Sequence, residues 1–311
     1  MVDQVVVVGA IHENPREATE FVEDVCWSWH VSWRSCSCLT VPGEGIIRPM
    51  GLVRIGSRRA AAAFAFLLAA PAGAAAQTEL QYQYGNFVNP FTGERHHASV
   101  LTFQNASPWS LGDSFIFIDW TDDHGADGFN EKSMYGEWYP TLSLGRVTGR
   151  TIGAGPIRDA ALIGGLNFGN EADIFKVVPG GRLSWDVPGF FFLNTDFGAA
   201  FDKSSGVARG GAPRAGVSFV MDVNWGAAFD VGPQSFLFAG HTKYEGARTD
   251  ELGQRVRASL LAQPQLGWDV GKATTGHAGQ LFLGVEYQYW RNKLGVDAGD
   301  NVAQLWLMWR L

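Results

Sequence analysis

Glu286, Gln288 and Trp290 occupy every second position of "VEYQYWRNK" (Val285–Lys293). In an extended chain alternate side chains share a face. A carboxylate, an amide and an indole then form one ladder, with Tyr287 and Tyr289 on the opposite side. An indole offers a stacking surface worth about 1–3 kcal/mol against a planar base, and the carboxylate and amide beside it can hydrogen-bond hydroxyl groups. "HHAS" is a second constellation, with His97 and Ser99 on one face so that an imidazole could act as base to a hydroxyl. Val100-Leu101 follow it, and no third residue stands out to orient the histidine.

Both constellations require extended segments, and the period-two pattern recurs along the chain. In "VSFVMDVNWGAAFD" Val217, Phe219, Met221, Val223, Trp225 and Phe229 alternate with Ser218, Asp222, Asn224 and Asp230. "FFFLNTDFGAAFD", "VRASLLAQPQLGWDV", "QLFLGVEYQYWRN" and "NVAQLWLMWRL" behave in the same way. Such segments begin near Leu80, His97, Ser114, Met134, Ala160, Ile174, Phe190, Val217, Ser235, Val256, Gln280 and Asn301. Several exceed the usual soluble strand of about 5–6 residues and match the roughly 9–11 that a tilted strand needs to cross a bilayer. Short turns such as Pro188-Gly189 alternate with polar loops such as "DDHGADGFNEKS", "KSSGVARGGAPR" and "GARTDELGQR", with one long turn on the short side near Gly149–Asp159. The pattern predicts an all-β fold: a transmembrane antiparallel β-barrel of about twelve strands, apolar outside and polar inside. Pro140 and Pro264 fall inside strands, where a bulge at each is expected to absorb the missing N–H.

Composition agrees. Charged residues make up 18% and aromatics 13% of the 311 residues, and the net charge of −7 provides no basic footprint for nucleic acid. All three cysteines precede Met50. From Met50, Arg54, Arg58 and Arg59 precede an apolar run over Ala60–Ala70 and an Ala74-Ala75-Ala76 cleavage site, the pattern of a secretory signal peptide. The organisation read from this is an upstream extension over 1–49 that is not part of the protein, a signal peptide over 50–76, and a barrel over 77–311. The expected location is the bacterial outer membrane.

On this phase the inner face carries Glu79, Gln81, Gln83, Asp119, Glu137, Lys176, Arg182, Asp186, Asn194, Asp196, Asp222, Asn224, His241, Lys243, Glu245, Arg257, Asp269, Glu286 and Arg310. Phe117, Tyr135, Tyr139, Phe282, Trp290 and Trp306 turn inward with them. Acids exceed bases, which suits neutral or cationic solutes better than phosphates, whose pores favour rings of Arg and Lys. The candidate solute path is Asp119, Tyr135, Glu137, Tyr139, Asp222, Asn224, Lys243, Arg257, Glu286, Gln288, Trp290 and Trp306. Nothing in the sequence points to a metal or an organic cofactor.

Four stretches in order, "WSLGDSFIFIDW" (Trp109–Trp120), "YGEWYPTLSLGRVTG" (Tyr135–Gly149), "QPQLGWDVG" (Gln263–Gly271) and "VEYQYWRNKLGV" (Val285–Val296), resemble the Tsx-type family of nucleoside-specific outer-membrane channels, which includes the OmpK proteins. The resemblance runs over nearly all of Leu80–Leu311. It implies a monomeric 12-stranded barrel in contact with outer-membrane lipid and lipopolysaccharide, and passive uptake of small neutral solutes such as nucleosides. The alternatives are a structural or phage-receptor barrel, or an acyl hydrolase using His97 and Ser99.

Overall fold

The computed structural model describes residues 76–125, 129 and 131–311. The expected extension and signal peptide lie outside the described residues, apart from Ala76. Twelve long strands follow the alternating segments. They are β1 (Gln77–Val88), β2 (Arg95–Trp109), β3 (Gly112–Asp122), β4 (Ser133–Ser143), β5 (Ile157–Gly169), β6 (Phe175–Trp185), β7 (Phe190–Asp202), β8 (Ser218–Val231), β9 (Gln234–Glu245), β12 (Ser259–Asp269), β13 (Leu281–Arg291) and β14 (Gly299–Arg310). A small hairpin of β10 (Arg248–Thr249) and β11 (Arg255–Val256) lies in the stretch expected to be a polar loop and takes up Val256, where a long strand was expected to begin. Around the ring the order is β1-β14-β13-β12-β9-β8-β7-β6-β5-β4-β3-β2, closed and antiparallel throughout.

Closure is made by the two ends of the chain. Leu80 pairs with Trp309 and Glu79 with Arg310, the Arg310 guanidinium donates to Glu79 at 2.8 Å, and the Leu311 N–H donates to the Thr78 carbonyl at 2.9 Å. A closed barrel leaves no strand edge unpaired, which a bilayer demands because lipid offers no hydrogen bonds.

The outward face is apolar and exposed: Leu101, Leu162, Phe219, Leu266, Val285 and Leu305 all point away from the lumen. Exposed Trp268 and Trp309 lie toward the end with the two termini, and Tyr287 and Tyr289 toward the other. The inward face is polar and largely buried, with Gln81, Glu137, Asn194, Glu286 and Gln304 among its residues. An apolar belt around a polar interior is the pattern of a barrel whose solvent is lipid.

The strand prolines are accommodated differently from the expectation. Neither Pro140 nor Pro264 carries a register shift; the shifts lie at Ile157/Asp159 and Phe190/Phe192. Instead the ladder skips pairs locally. The β12–β13 pairing passes from Ala262↔Tyr289 to Gln265↔Glu286, and β4–β5 from Trp138↔Leu166 to Thr141↔Ile163. Across from Pro264 stands Gly240 with φ 144°, where a Cβ would meet the Gln263 carbonyl oxygen at 2.3 Å. The close approach is solved by glycine on the partner strand, so the inside-outside phase is kept.

Two short helices sit at the terminus end, α1 (Leu144–Thr148) and α2 (Val270–Thr275). Ser143 caps α1 by accepting from the Arg146 N–H, and Asp269 caps α2 by accepting from the Lys272 N–H. Arg146 also donates to the Trp109 and Gly112 carbonyls at 2.8 and 2.7 Å, tying the long α1 connection to the β2–β3 turn.

Candidate functional site in the barrel lumen

The lumen holds a cavity of about 780 Å³ that runs from Gln77 and Arg146 at the terminus end to Phe87 and Lys293 at the other. A second cavity of about 80 Å³ adjoins it, bounded by Tyr135, Asn167, Lys176, Arg248 and Trp290. Asp119, Glu137, His241, Lys243 and Gln263 line both.

Strand alternation brings most of the expected path residues to this space. Asp119 on β3 accepts from Thr102 Oγ1 at 2.6 Å. On β4, Glu137 Oε1 accepts from Tyr135 Oη at 2.6 Å, from Asn167 Nδ2 at 2.9 Å and from Lys243 Nζ at 2.6 Å. Tyr139 donates to Asn167 Oδ1 at 3.0 Å. On β8, Asp222 faces His241 Nδ1 at 2.7 Å and accepts from Asn224 Nδ2 at 3.1 Å. Asn224 also donates to Asp196, itself held by the Nε and Nη2 of Arg182, each at 2.7 Å. On β13, Glu286 accepts from Gln265, Gln304 and Gln263 at 2.7, 2.9 and 3.1 Å.

Four expected residues point inward but are consumed by packing or only border the smaller cavity, Tyr135 being one that borders only the smaller. Gln288 is fully buried between Gln263 and Asp300. Trp306 is fully buried against Leu237, Phe282 and Met308, and its indole donates to Gln81 at 2.8 Å. It packs over Gly267, where a Cβ would lie 2.4 Å from the ring. Trp290 is nearly buried and lines only the smaller cavity, with the Lys293 ammonium 5.6 Å from its ring centroid. The Glu286–Gln288–Trp290 face is therefore a wall whose middle member is covered.

Arg257 departs from the expectation. It lies between β11 and β12, beyond the paired region, and its guanidinium is half exposed and bound to Asp297 at 3.0 Å. The long strand expected from Val256 begins instead at Ser259, because Arg255 and Val256 pair with β10. Asp186 likewise lies exposed in the β6–β7 turn. The sequence reading missed Asn167, which alternation within "ALIGGLNFG" would have placed inward, and the amides Gln104 and Gln304.

The His97 and Ser99 side chains lie on the outside of the barrel. The His97 ring stacks on Tyr84 with centroids 5.5 Å apart, and Ser99 Oγ is 3.0 Å from Tyr82 Oη. Both are engaged in this aromatic band, which does not favour the hydrolase alternative.

No protein-family model matches the chain, and no curated protein matches it. Solved structures similar in fold are membrane barrels. The KdgM porin is 7% identical, with 74% of this chain and 98% of that one covered and a TM-score of 0.42. The NanC porin is 10% identical over 75% of this chain and 100% of that one, TM-score 0.46. An outer-membrane channel from Pseudomonas putida F1 is 10% identical over 78% and 97%, TM-score 0.42.

Proposed function

We propose that this chain is a passive channel of the bacterial outer membrane for small neutral solutes, nucleosides being the class its lining suits best. The observation that carries the reading is the 780 Å³ lumen, lined along the height of the barrel by hydrogen-bonding side chains inside an apolar exterior. One chain closes its own ring, so the pore needs no second copy. Phe117, Tyr139 and Trp290 offer planar faces, while Gln265, Glu286 and Asn224 offer the amides and carboxylates that bind hydroxyl groups. The resemblance to the Tsx-type channels supports the same class. The processing reading belongs to this proposal: export through the signal at 50–76, with the barrel beginning near Gln77.

Liposome flux tests the reading, with nucleosides compared against sugars and amino acids. Trp290→Ala is expected to reduce nucleoside flux at low concentration by roughly 5- to 150-fold, the range set by about 1–3 kcal/mol of stacking. Glycerol flux is expected to stay unchanged. Equal loss for both solutes would make Trp290 a wall support only, and no flux of any solute would end the channel reading.

A further inference from the structure

Three luminal ion pairs join neighbouring strands: Arg182 with Asp196 across β6–β7, His241 with Asp222 across β8–β9, and Arg310 with Glu79 across β1–β14. Arg182–Asp113 and Lys176–Glu245 each pass over two strands. The Lys243–Glu137 pair passes over more. Lys243 stands on β9 and Glu137 on β4, with four strands between them one way round the ring and six the other. Their 2.6 Å contact therefore spans the lumen. Because both residues line the larger and the smaller cavity, the contact lies where the two spaces meet.

The two partners are held unequally. Glu137 is fixed by Tyr135 and Asn167 as well as by Lys243. The Lys243 ammonium donates to Glu137 alone among the described residues. Two positions along the same face of β9 is Glu245, whose carboxylate sits 3.7 Å from Lys176 and 3.1 Å from Arg248. A lysine stem is flexible and carries a compact charge, so Lys243 can leave Glu137 and still face a carboxylate.

We propose that Lys243 is a swinging bar and the specificity-determining residue of the pore. The inference rests on the channel reading above. To pass, a solute must replace the Lys243–Glu137 contact, offering an acceptor to the ammonium and a donor to the carboxylate. A hydroxyl-bearing neutral or dipolar molecule does both. A simple anion or cation satisfies one partner and leaves the other charge buried without its counter-ion, which is costly. The bar therefore selects neutral polyhydroxylated solutes over ions of either sign.

Single-channel conductance and reversal potential in planar bilayers test this. The proteins are the wild type, Lys243→Met, Glu137→Gln and the exchange Glu137→Lys with Lys243→Glu. Heat-modifiable mobility reports that each has folded. Removing the bar with Lys243→Met is expected to raise conductance roughly two-fold or more and to shift preference toward cations, since pore width and lining charge set both. Glu137→Gln is expected to raise conductance and shift preference toward anions. The exchange retains a pair across the lumen and is expected to return conductance toward the wild-type value, so a folding defect in either single variant does not remove the test. A conducting wild type whose folded variants match it in conductance and ion preference would overturn the bar. A folded wild type that does not conduct would instead overturn the channel reading itself.

Discussion

The inner wall has two unlike arcs. From β12 through β13, β14 and β1 to β2 it is built mainly of amides, with the Arg310–Glu79 and Lys293–Asp300 pairs toward its two ends. Gln263, Gln265 and Gln304 surround Glu286, Gln265 reaches Gln81, and Gln81 and Gln104 donate to Glu79. From β4 to β9 it is built of charges, with Arg182, His241 and Lys243 set against Asp196, Asp222 and Glu137. An amide donates and accepts at once, so a row of glutamines can satisfy itself along the wall. A charge needs a counter-charge, and that partner can lie across the lumen. The amide arc therefore forms a tightly packed lining around Trp306 and Gln288, while the ionic arc reaches across the space.

The contrast can be broken most severely at the top of the amide arc, where Lys293 is fully buried and bound to Asp300 and to the Val88 carbonyl. Burial pulls the Lys293 ammonium below its ordinary pKa, and Asp300 opposes that shift. Lys293→Met leaves Asp300 buried without its counter-ion, and a loss of about 3–5 kcal/mol is expected, measured by denaturant titration in detergent. No loss would mean that water reaches Asp300.

The next effect separates the two faces of a single strand. Leu266, on β12, is 49% exposed on the outside, and its neighbour Gln265 faces Glu286 inside. Leu266→Arg is expected to cost about 2–4 kcal/mol near the bilayer midplane. Gln265→Arg is expected to cost far less, because the lumen is polar and Glu286 supplies a counter-charge. Folding titrations into lipid decide this, and equal costs would reverse the assignment of faces.

The smallest effect lies outside the barrel wall. Glu251, in the hairpin between β10 and β11, accepts from the Val207 N–H at 2.8 Å and from Arg214 at 3.0 Å. The Val207 hydrogen bond first, then Arg214, holds its carboxyl below the usual range. A depressed carboxyl contributes its stability above the ordinary carboxylate pKa and loses it as pH falls through the depressed value. Acid in that window is expected to free the 203–217 connection, read as faster proteolytic nicking there while the barrel stays folded. Glu251→Gln should nick readily at neutral pH as well.

Much of the fold was legible because alternation is written along each strand. The faces of β8, β12, β13 and β14 followed from spacing alone, and the inward placement of Glu137, Asp222 and Glu286 came with them. The strand prolines were legible as a difficulty but not in their remedy, since Gly240 is near Pro264 only after β9 and β12 pair. Arg257 was misplaced because a period-two run continues past Ser259 in the sequence, whereas the chain turns into the β10–β11 hairpin.

Facing is therefore a local property, and the sequence by itself determined it: successive Cβ atoms point to opposite sides of an extended chain whatever lies around them. The count of strands follows from the same repeating pattern. Only the tertiary structure decided which inward residues border open space and which are covered, as Gln288 and Trp306 are. It alone decided that Lys243 meets Glu137, 106 positions away. That contact depends on ring closure and on side chains from opposite walls meeting in the lumen, and neither is encoded in the spacing along any one strand.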